Sequence, residues 1–146
     1  MSETVYIETS ILGYLTARPS RDIVVAANIE ITREWWDTRR SDFQLYSSQA
    51  VVKETSQGDA KIASQRLEII RNLALLDLNQ PVLDLAEQFL ERSSLPAKAD
   101  VDAVHIAVAT VHSMDYLLTW NCKHIANAQI QRKLVTAQVG MSGIFP

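Results

Sequence analysis

Four short runs of apolar and β-branched residues punctuate the chain, at residues 4–7, 43–46, 74–78 and 115–119. Runs of this length that end in polar residues are typical of short β-strands. Between them lie longer stretches in which apolar residues recur at the spacing of helices. The alternation predicts right-handed strand–helix–strand units, and therefore a parallel sheet with helices on its faces. We expect an α/β protein, a three-layer α/β/α sandwich with a central parallel sheet.

Residues that favour the first position of a helix precede the helical stretches. The longest predicted helix runs from a cap at Ser20 to about Arg40. Its apolar face would be formed by Val24, Ala27, Ile31 and Trp35. The other predicted helix starts are at Ser47 with Ser48 before a helix over residues 49–55, and at Asp59, Asn79 and Asp100.

The composition permits one compact domain without disulfides. The chain has 146 residues, of which 47% are hydrophobic, and we expect residues 1–146 to form a single domain. The formal charge of −3 argues against a protein that binds nucleic acid through bulk positive potential. Any contact with nucleic acid should therefore be local or depend on a metal ion.

Cysteine usage and the N-terminus indicate a reducing compartment. Cys122 is the single cysteine, which excludes an internal disulfide and a Cys-rich zinc site. The first residues do not resemble a signal peptide, and no apolar run approaches the roughly 20 residues of a membrane-spanning helix. We expect a cytoplasmic protein with no membrane contact.

Polar side chains follow the predicted strands where ligands bind in open α/β sheets. Glu8 and Thr9 follow the first strand, Glu54 lies on the helix entered from the second, and Asn121 follows the last. Asp102 lies in the first turn of a helix that leads into that last strand. Oxygen ligands of this kind suit a hard cation, Mg²⁺ or Mn²⁺, and such an ion serves phosphoryl chemistry.

Each of these residues also has an ordinary structural role open to it. Glu8 and Glu54 could be solvated surface acids, and Asp102 could interact favourably with the helix dipole. Thr9 or Ser10 could simply cap the short helix, and Asn121 could form a turn. The case for a site therefore depends on the residues meeting in space.

Two blocks of the sequence, VYIETSILGYLTARPSRD and DVDAVHIAVATVHSMDYLLTWNCKHIANA, resemble the PIN-domain family, and specifically the bacterial VapC-like toxins of toxin–antitoxin pairs. Between them, VVKETSQGD is similar to the family's second acidic site. The resemblance extends from Thr4 to about Gln131. It implies a metal-dependent endoribonuclease that acts on RNA, is blocked by a cognate antitoxin and forms a homodimer.

The resemblance also implies a role for each candidate residue. Glu8, Glu54 and Asp102 would hold Mg²⁺ or Mn²⁺, Asn121 would occupy a fourth position that is often acidic, and Thr9 would support the first acid or a water. The chain ends early for the family, so a last strand or tail would be missing.

One departure from the family pattern is that Glu8 stands where an aspartate is usual. The extra methylene shifts the carboxylate by more than about 1 Å, and Mg²⁺ demands near-octahedral geometry. Glu8 could bind through a shifted rotamer, could favour Mn²⁺, or could mark an inactive module that binds RNA or an antitoxin. A phosphoacceptor receiver domain, the other alternative, would need an early acidic pair and a late strand-end lysine.

Several further residues are candidates for supporting roles. We expect His105 to pack or to form a hydrogen bond within an apolar helix rather than to act in catalysis. Four cations flank the expected crevice and could contact phosphates, although a solvated charged surface explains them equally well. They are Arg18, Arg21, Lys53 and Lys123.

Overall fold

The structure is a computed structural model that describes residues 2–92 and 100–120. Its sheet has four parallel strands in the order β3-β2-β1-β4. The strands are β1 (Glu3–Ile7), β2 (Phe43–Ser48), β3 (Ala74–Leu76) and β4 (Tyr116–Leu118). Each predicted strand is present, and β2 extends two residues further than the pattern indicated.

Six helices flank this sheet in the described part of the chain, which confirms the predicted three-layer α/β/α class. The helices are α1 (Thr9–Leu15), α2 (Ile23–Thr38), α3 (Gln49–Thr55), α4 (Ala60–Ile70), α5 (Gln80–Arg92) and α6 (Asp100–Val111). A 3₁₀ turn at Arg40–Asp42 leads from α2 into β2.

Strand β1 lies at the point where the strand order reverses. The chain moves from β1 to β2 and β3 on one side, and β4 returns to the other side of β1. Val5 accordingly has Leu45 of β2 as one lateral neighbour and Tyr116 of β4 as the other. In open parallel sheets, the crevice beyond the carboxyl ends of the strands at such a reversal is the usual ligand site.

The core is formed chiefly by β1 and α6. Val5, Tyr6 and Ile7 are at most 2% exposed, and α6 buries Ala103 and the continuous run 105–109 completely. Such a run has no polar face, so α6 is a central helix packed between the sheet and α5 rather than a surface helix. Two of the candidate acids are thus carried by the elements that form the core, since Glu8 directly follows β1 and Asp102 lies on α6.

At the opposite end of the sheet, Thr4 and Asp115 join β1 to the start of β4. The Asp115 carboxylate accepts hydrogen bonds from the backbone N–H of Thr4, at 2.8 Å, and from its hydroxyl, at 3.1 Å. The Thr4 hydroxyl oxygen in turn accepts from the backbone N–H of Asp115, at 3.0 Å. This reciprocal pairing fixes the register of two strands that are far apart in sequence.

The prediction for α2 was wrong in its start and in its buried face. The cap is Asp22, whose carboxylate accepts from the N–H groups of Val24 and Val25, while Ser20 only accepts from the Asp22 N–H. Val24 is 69% exposed, and the buried positions of α2 are Ile29 and Thr32. Because apolar residues occupy more than one side of this helix, their spacing could not select the face that packs.

The other predicted helix starts are close to those observed. Helix α3 spans the predicted residues with Ser48 as its cap, α4 is capped by Asp59, and Asn79 accepts from the N–H of Val82 at the start of α5. Ser48 makes no side-chain capping bond, because its hydroxyl is engaged elsewhere.

None of the helices within residues 2–92 and 100–120 is long and apolar enough to cross a membrane.

Candidate active site

The candidate site lies at the carboxyl ends of β1, β2 and β4. Glu8 directly follows β1, Ser48 is the last residue of β2, and Thr119 directly follows β4. Helix α1 begins at the same edge, and its first residue, Thr9, contacts Glu54 of α3. The fold therefore brings Glu8, Thr9 and Glu54 to one place, at the reversal of strand order where a ligand is expected.

Glu8 is a buried carboxylate that binds three donors. As the N-cap of α1 it accepts from the backbone N–H of Ser10, at 3.1 Å, and from the Ser10 hydroxyl, at 2.5 Å. It also accepts from the hydroxyl of Thr119, at 2.6 Å, and it is only 5% exposed. The capping role that the sequence suggested for Thr9 or Ser10 belongs to Glu8, which links β1 to β4 as well as starting α1.

Glu54 has a different set of partners. Its Oε1 accepts from the Thr9 hydroxyl at 2.7 Å and lies 2.6 Å from Nε2 of His105, while the side chain remains 33% exposed. Its other oxygen, Oε2, receives no hydrogen bond within the described ranges. Glu54 thus keeps one oxygen available to a ligand, whereas the carboxylate of Glu8 is enclosed by its own chain.

A chain of hydrogen bonds leads from Glu54 into the core. Nδ1 of His105 lies 2.7 Å from the Tyr6 hydroxyl, which lies 2.7 Å from the Ser48 hydroxyl. Since an ionised carboxylate only accepts, Nε2 of His105 carries a proton and donates to Glu54. In a neutral ring Nδ1 then accepts from Tyr6, and Ser48 donates to Tyr6. Tyr6, Ser48 and His105 are buried, so each depends on these contacts.

The surroundings of this chain shift two ionisation equilibria. Burial by itself raises the pKa of Glu54, but the hydrogen bonds from His105 and from the Thr9 hydroxyl hold that pKa below its ordinary value. Burial strongly raises the pKa of Tyr6. Glu54 is therefore an anion at neutral pH, and Tyr6 keeps its proton.

Asp102, the third predicted metal ligand, lies on α6. Asp102 is partly buried and lies three residues before His105 on α6, which places both on neighbouring positions of one helix face. Among the residues that the structure describes, no group of three or more His, Cys, Asp or Glu side chains is arranged to hold a metal ion. Asn121 and Lys123 lie outside the described residues.

Three contributors to the site were not predicted as such: Tyr6, Ser48 and Thr119. A tyrosine in the middle of a buried strand does carry a usable signal, because its hydroxyl needs a partner in the interior. The expected hydrogen-bonding role of His105 is confirmed, but its partners could not be read from the sequence. They lie 51 and 99 positions away.

Comparison with known proteins yields a structural match. No family model matches the chain, and no curated protein matches its sequence. A solved structure described as FitAB bound to an IR36 DNA fragment matches with a TM-score of 0.55, over 87% of this chain and 90% of that chain. The sequence identity is 18%. At this identity the likeness shows that the two chains share a fold.

Proposed function

We propose that this protein is a PIN-like, metal-dependent endoribonuclease and the toxin of a toxin–antitoxin pair. The observation that carries the proposal is the meeting of Glu8, Thr9 and Glu54 at the carboxyl edge of the parallel sheet. These residues belong to the sequence blocks that resemble VapC-like toxins. The fold shared with a chain of FitAB supports the same assignment.

Glu8, Glu54 and Asp102 would hold Mg²⁺ or Mn²⁺, since carboxylate oxygens are the ligands that these hard cations prefer. Glu54 offers the open oxygen Oε2, and its rotamer is fixed by donors on both sides of Oε1. A bound divalent ion supplies an activated water and neutralises charge on the phosphate. The chain itself contributes the orientation of the acids.

His105 positions Glu54 without contacting the substrate in this proposal. Its ring is completely buried, and the Glu54 carboxylate fixes the proton on Nε2 while the Tyr6 hydroxyl bonds to Nδ1. A carboxylate that is oriented by a buried imidazole and by a threonine hydroxyl loses little rotamer freedom when it binds a ligand. The buried chain of hydrogen bonds thus holds Glu54 in one orientation before a ligand binds.

The glutamate at position 8 is matched to its neighbours. An aspartate would be shorter by one C–C bond, about 1.5 Å, and its carboxylate would withdraw from the Thr119 hydroxyl that now lies 2.6 Å away. The fit of the glutamate side chain favours a functional role for Glu8 in this site over a site that has lost its function.

A second candidate function is a non-catalytic module that binds RNA or an antitoxin. Two observations favour it: the carboxylate of Glu8 already binds three internal donors, and no group of three ligands is preformed in the described ranges. Under this alternative the acids stabilise the fold at the strand ends. Metal binding and cleavage separate the two candidates.

Cleavage of a labelled single-stranded RNA, with Mg²⁺, Mn²⁺ or EDTA, tests the enzyme proposal. We expect Glu54→Gln and Asp102→Ala to lower the metal-dependent rate by about 100-fold or more, since each removes a proposed ligand. Glu87→Gln, at an exposed position of α5, is the matched control and should cleave like the wild type. In titration calorimetry, the heat of Mn²⁺ binding should be absent for the two site variants. Equal, metal-independent behaviour of all four proteins rules out the enzyme.

Substitution at position 8 distinguishes the two candidates directly. The non-catalytic module would show no cleavage as the wild type and a gain of Mg²⁺-dependent cleavage in Glu8→Asp. The enzyme proposal expects an active wild type, and a Glu8→Asp variant that is no faster because it has lost the Thr119 contact.

The remaining assignments follow the family resemblance. We propose a cytoplasmic protein that binds a cognate antitoxin and forms a homodimer, with RNA as the substrate. The FitAB structure is described as bound to a DNA fragment, which is a statement about that complex. Size-exclusion chromatography with light scattering tests the dimer.

A further inference from the structure

A second hollow lies at the far end of α1, away from the acids. It has a volume of about 340 Å³ and is bounded by the segment that ends α1, by α2 and by α4. Three cations line it: Arg18 from the segment, Arg33 from α2 and Lys61 from α4. No aspartate or glutamate is among the described residues that line it.

Two guanidinium groups at this hollow are held in place by neutral oxygens. Nη2 of Arg33 donates to the backbone oxygen of Ala17, at 3.0 Å, and Nε of Arg66 donates to the Thr16 hydroxyl, at 3.1 Å. Both bonds orient a cation without neutralising it. The segment after α1 is thereby tied to α2 and to α4, so the hollow is a built part of the fold.

The positive charge at this hollow is unpaired. Within residues 2–92 and 100–120, the ion pairs involve Arg39, Arg71 and His105, and none involves the four cations around the hollow. A chain of net charge −3 therefore leaves three cations together around one hollow, and a fourth, Arg66, is bound to the lining residue Thr16. Like charges held side by side repel each other, and a bound anion removes that repulsion.

The position of the hollow relative to the acids suggests which anion it binds. Helix α1 has seven residues, begins beside Glu8 and Glu54 and ends at the hollow, so about 10 Å of helix separates the two sites. Arginine and lysine side chains that line one hollow suit the oxyanion of a phosphate. A strand of nucleic acid that follows α1 would place one phosphate at each end.

We propose that the hollow lined by Arg18, Arg33 and Lys61 binds a backbone phosphate of the RNA strand whose scissile phosphate lies at Glu8 and Glu54. The choice of RNA as ligand rests on the proposed function. The hollow explains how an acidic protein holds a polyanion, because the contact is local. It also assigns a function to Arg33 and Lys61, which the sequence did not single out.

The test replaces Arg18 and Lys61 by glutamine in one protein. Neither side chain makes a hydrogen bond to the described residues, so the double variant should fold normally, whereas Arg33 and Arg66 also hold the segment in place. The matched control is Arg39→Gln with Arg71→Gln, which removes the same charge at exposed sites outside the hollow.

Binding of a fluorescently labelled single-stranded RNA is measured by anisotropy in EDTA over a series of KCl concentrations. One lost phosphate contact should reduce the slope of log K against log[salt] by about 0.7, with a several-fold weaker affinity at low salt. The control should keep the wild-type slope. Equal slopes for the two double variants, or no RNA binding by the wild type, would overturn the proposal.

Two further outcomes separate this proposal from the proposed function. If the wild type cleaves RNA while the Arg18/Lys61 variant keeps both its salt slope and its KM, the phosphate site is wrong and the nuclease stands. If the slope changes as expected but no protein cleaves RNA with Mn²⁺, the phosphate site stands and the nuclease is wrong. Loss of affinity for a poly-glutamate peptide with an unchanged RNA slope would assign the hollow to an acidic protein and refute the proposal.

Discussion

Glu8 and Glu54 occupy the same edge of the sheet, but their surroundings differ in kind. Glu8 is 5% exposed and is bound by neutral donors from α1 and from the residue after β4. Glu54 is one-third exposed and is bound by one hydroxyl and by the ring of a buried histidine. Glu8 is therefore buried, whereas Glu54 is partly exposed to solvent and is held by a hydrogen bond to the buried His105.

This difference in surroundings indicates different roles for the two acids. The hydrogen bonds of Glu8 cap α1 and join it to the residue after β4, so its removal should lower stability as well as remove a proposed ligand. The contacts of Glu54 lead through His105 and Tyr6 to Ser48, and they leave one carboxylate oxygen unused. Its removal should act first on ligand binding, while removal of its buried partners should act on both.

The largest loss of stability should come from removing His105 from the buried chain of hydrogen bonds. His105→Ala leaves the Tyr6 hydroxyl and Glu54 without their common partner and opens a cavity, and we expect a loss of about 3 kcal/mol of unfolding free energy. Urea denaturation followed by circular dichroism measures it. Val104→Ala, at the half-buried neighbouring position, is the control and should cost less. A loss below about 1 kcal/mol for His105→Ala would show that the chain does not stabilise the fold.

The next effect should come from Tyr6→Phe. This change keeps the ring and removes the hydroxyl that joins Ser48 to His105, so two buried groups lose a partner at a cost of about 2 kcal/mol. Tyr46→Phe is a matched control, because that hydroxyl has only a long contact of 3.4 Å with Gln44, and its cost should stay within about 0.5 kcal/mol. Equal urea midpoints for Tyr6→Phe and Tyr46→Phe would show that the buried hydroxyl of Tyr6 contributes no more to stability than the exposed hydroxyl of Tyr46.

A smaller effect is expected at the enclosed acid. Glu8→Gln keeps the size of the side chain but weakens the helix cap and the bond from Thr119, and the loss should be about 1 kcal/mol. Thermal unfolding of Glu8→Gln, Thr119→Val and the double variant measures their coupling. Strictly additive losses would mean that the contact between positions 8 and 119 contributes nothing of its own.

The smallest effect concerns pH. Since the folded structure holds the pKa of Glu54 below its ordinary value of 4.5, the unfolded chain binds more protons, and stability rises with pH through this window. The contribution is present above pH 4.5 and is lost as pH falls through the folded pKa. The unfolding free energy of Glu54→Gln, measured in EDTA between pH 3 and 6, should show a shallower pH dependence than the wild type. If the unfolding free energies of the two proteins depended on pH in the same way, the lowered pKa of Glu54 would be contradicted.

The sequence predicted the elements well where their signals are local. The Asp59 side chain caps α4, Ser48 precedes α3 at the predicted position, and the strands coincide with short runs of apolar side chains. The packed face of α2 could not be predicted, because it depends on what lies opposite. Thr32 is buried there, and its hydroxyl accepts from the indole N–H of Trp120, 88 positions away.

The candidate site was predictable only in its acids. Their place after the strands follows from a general property of parallel sheets, so Glu8 and Glu54 could be selected from local information. Their partners could not, because the bonds to Thr119 and His105 span 111 and 51 positions and depend on the completed topology. Whether Glu8, Glu54 and Asp102 bind a metal ion together stays a prediction.

The pairing of Thr4 with Asp115 has a consequence for the nascent protein. The two residues are 111 positions apart, so β1 waits for its second neighbour until nearly all of the described chain has been translated. At about 5–20 residues per second, elongation from Glu54 to Thr119 occupies several seconds, during which Glu8 lacks the hydroxyl that completes its shell. A nascent chain that has not yet been translated as far as Thr119 therefore has no finished acidic edge.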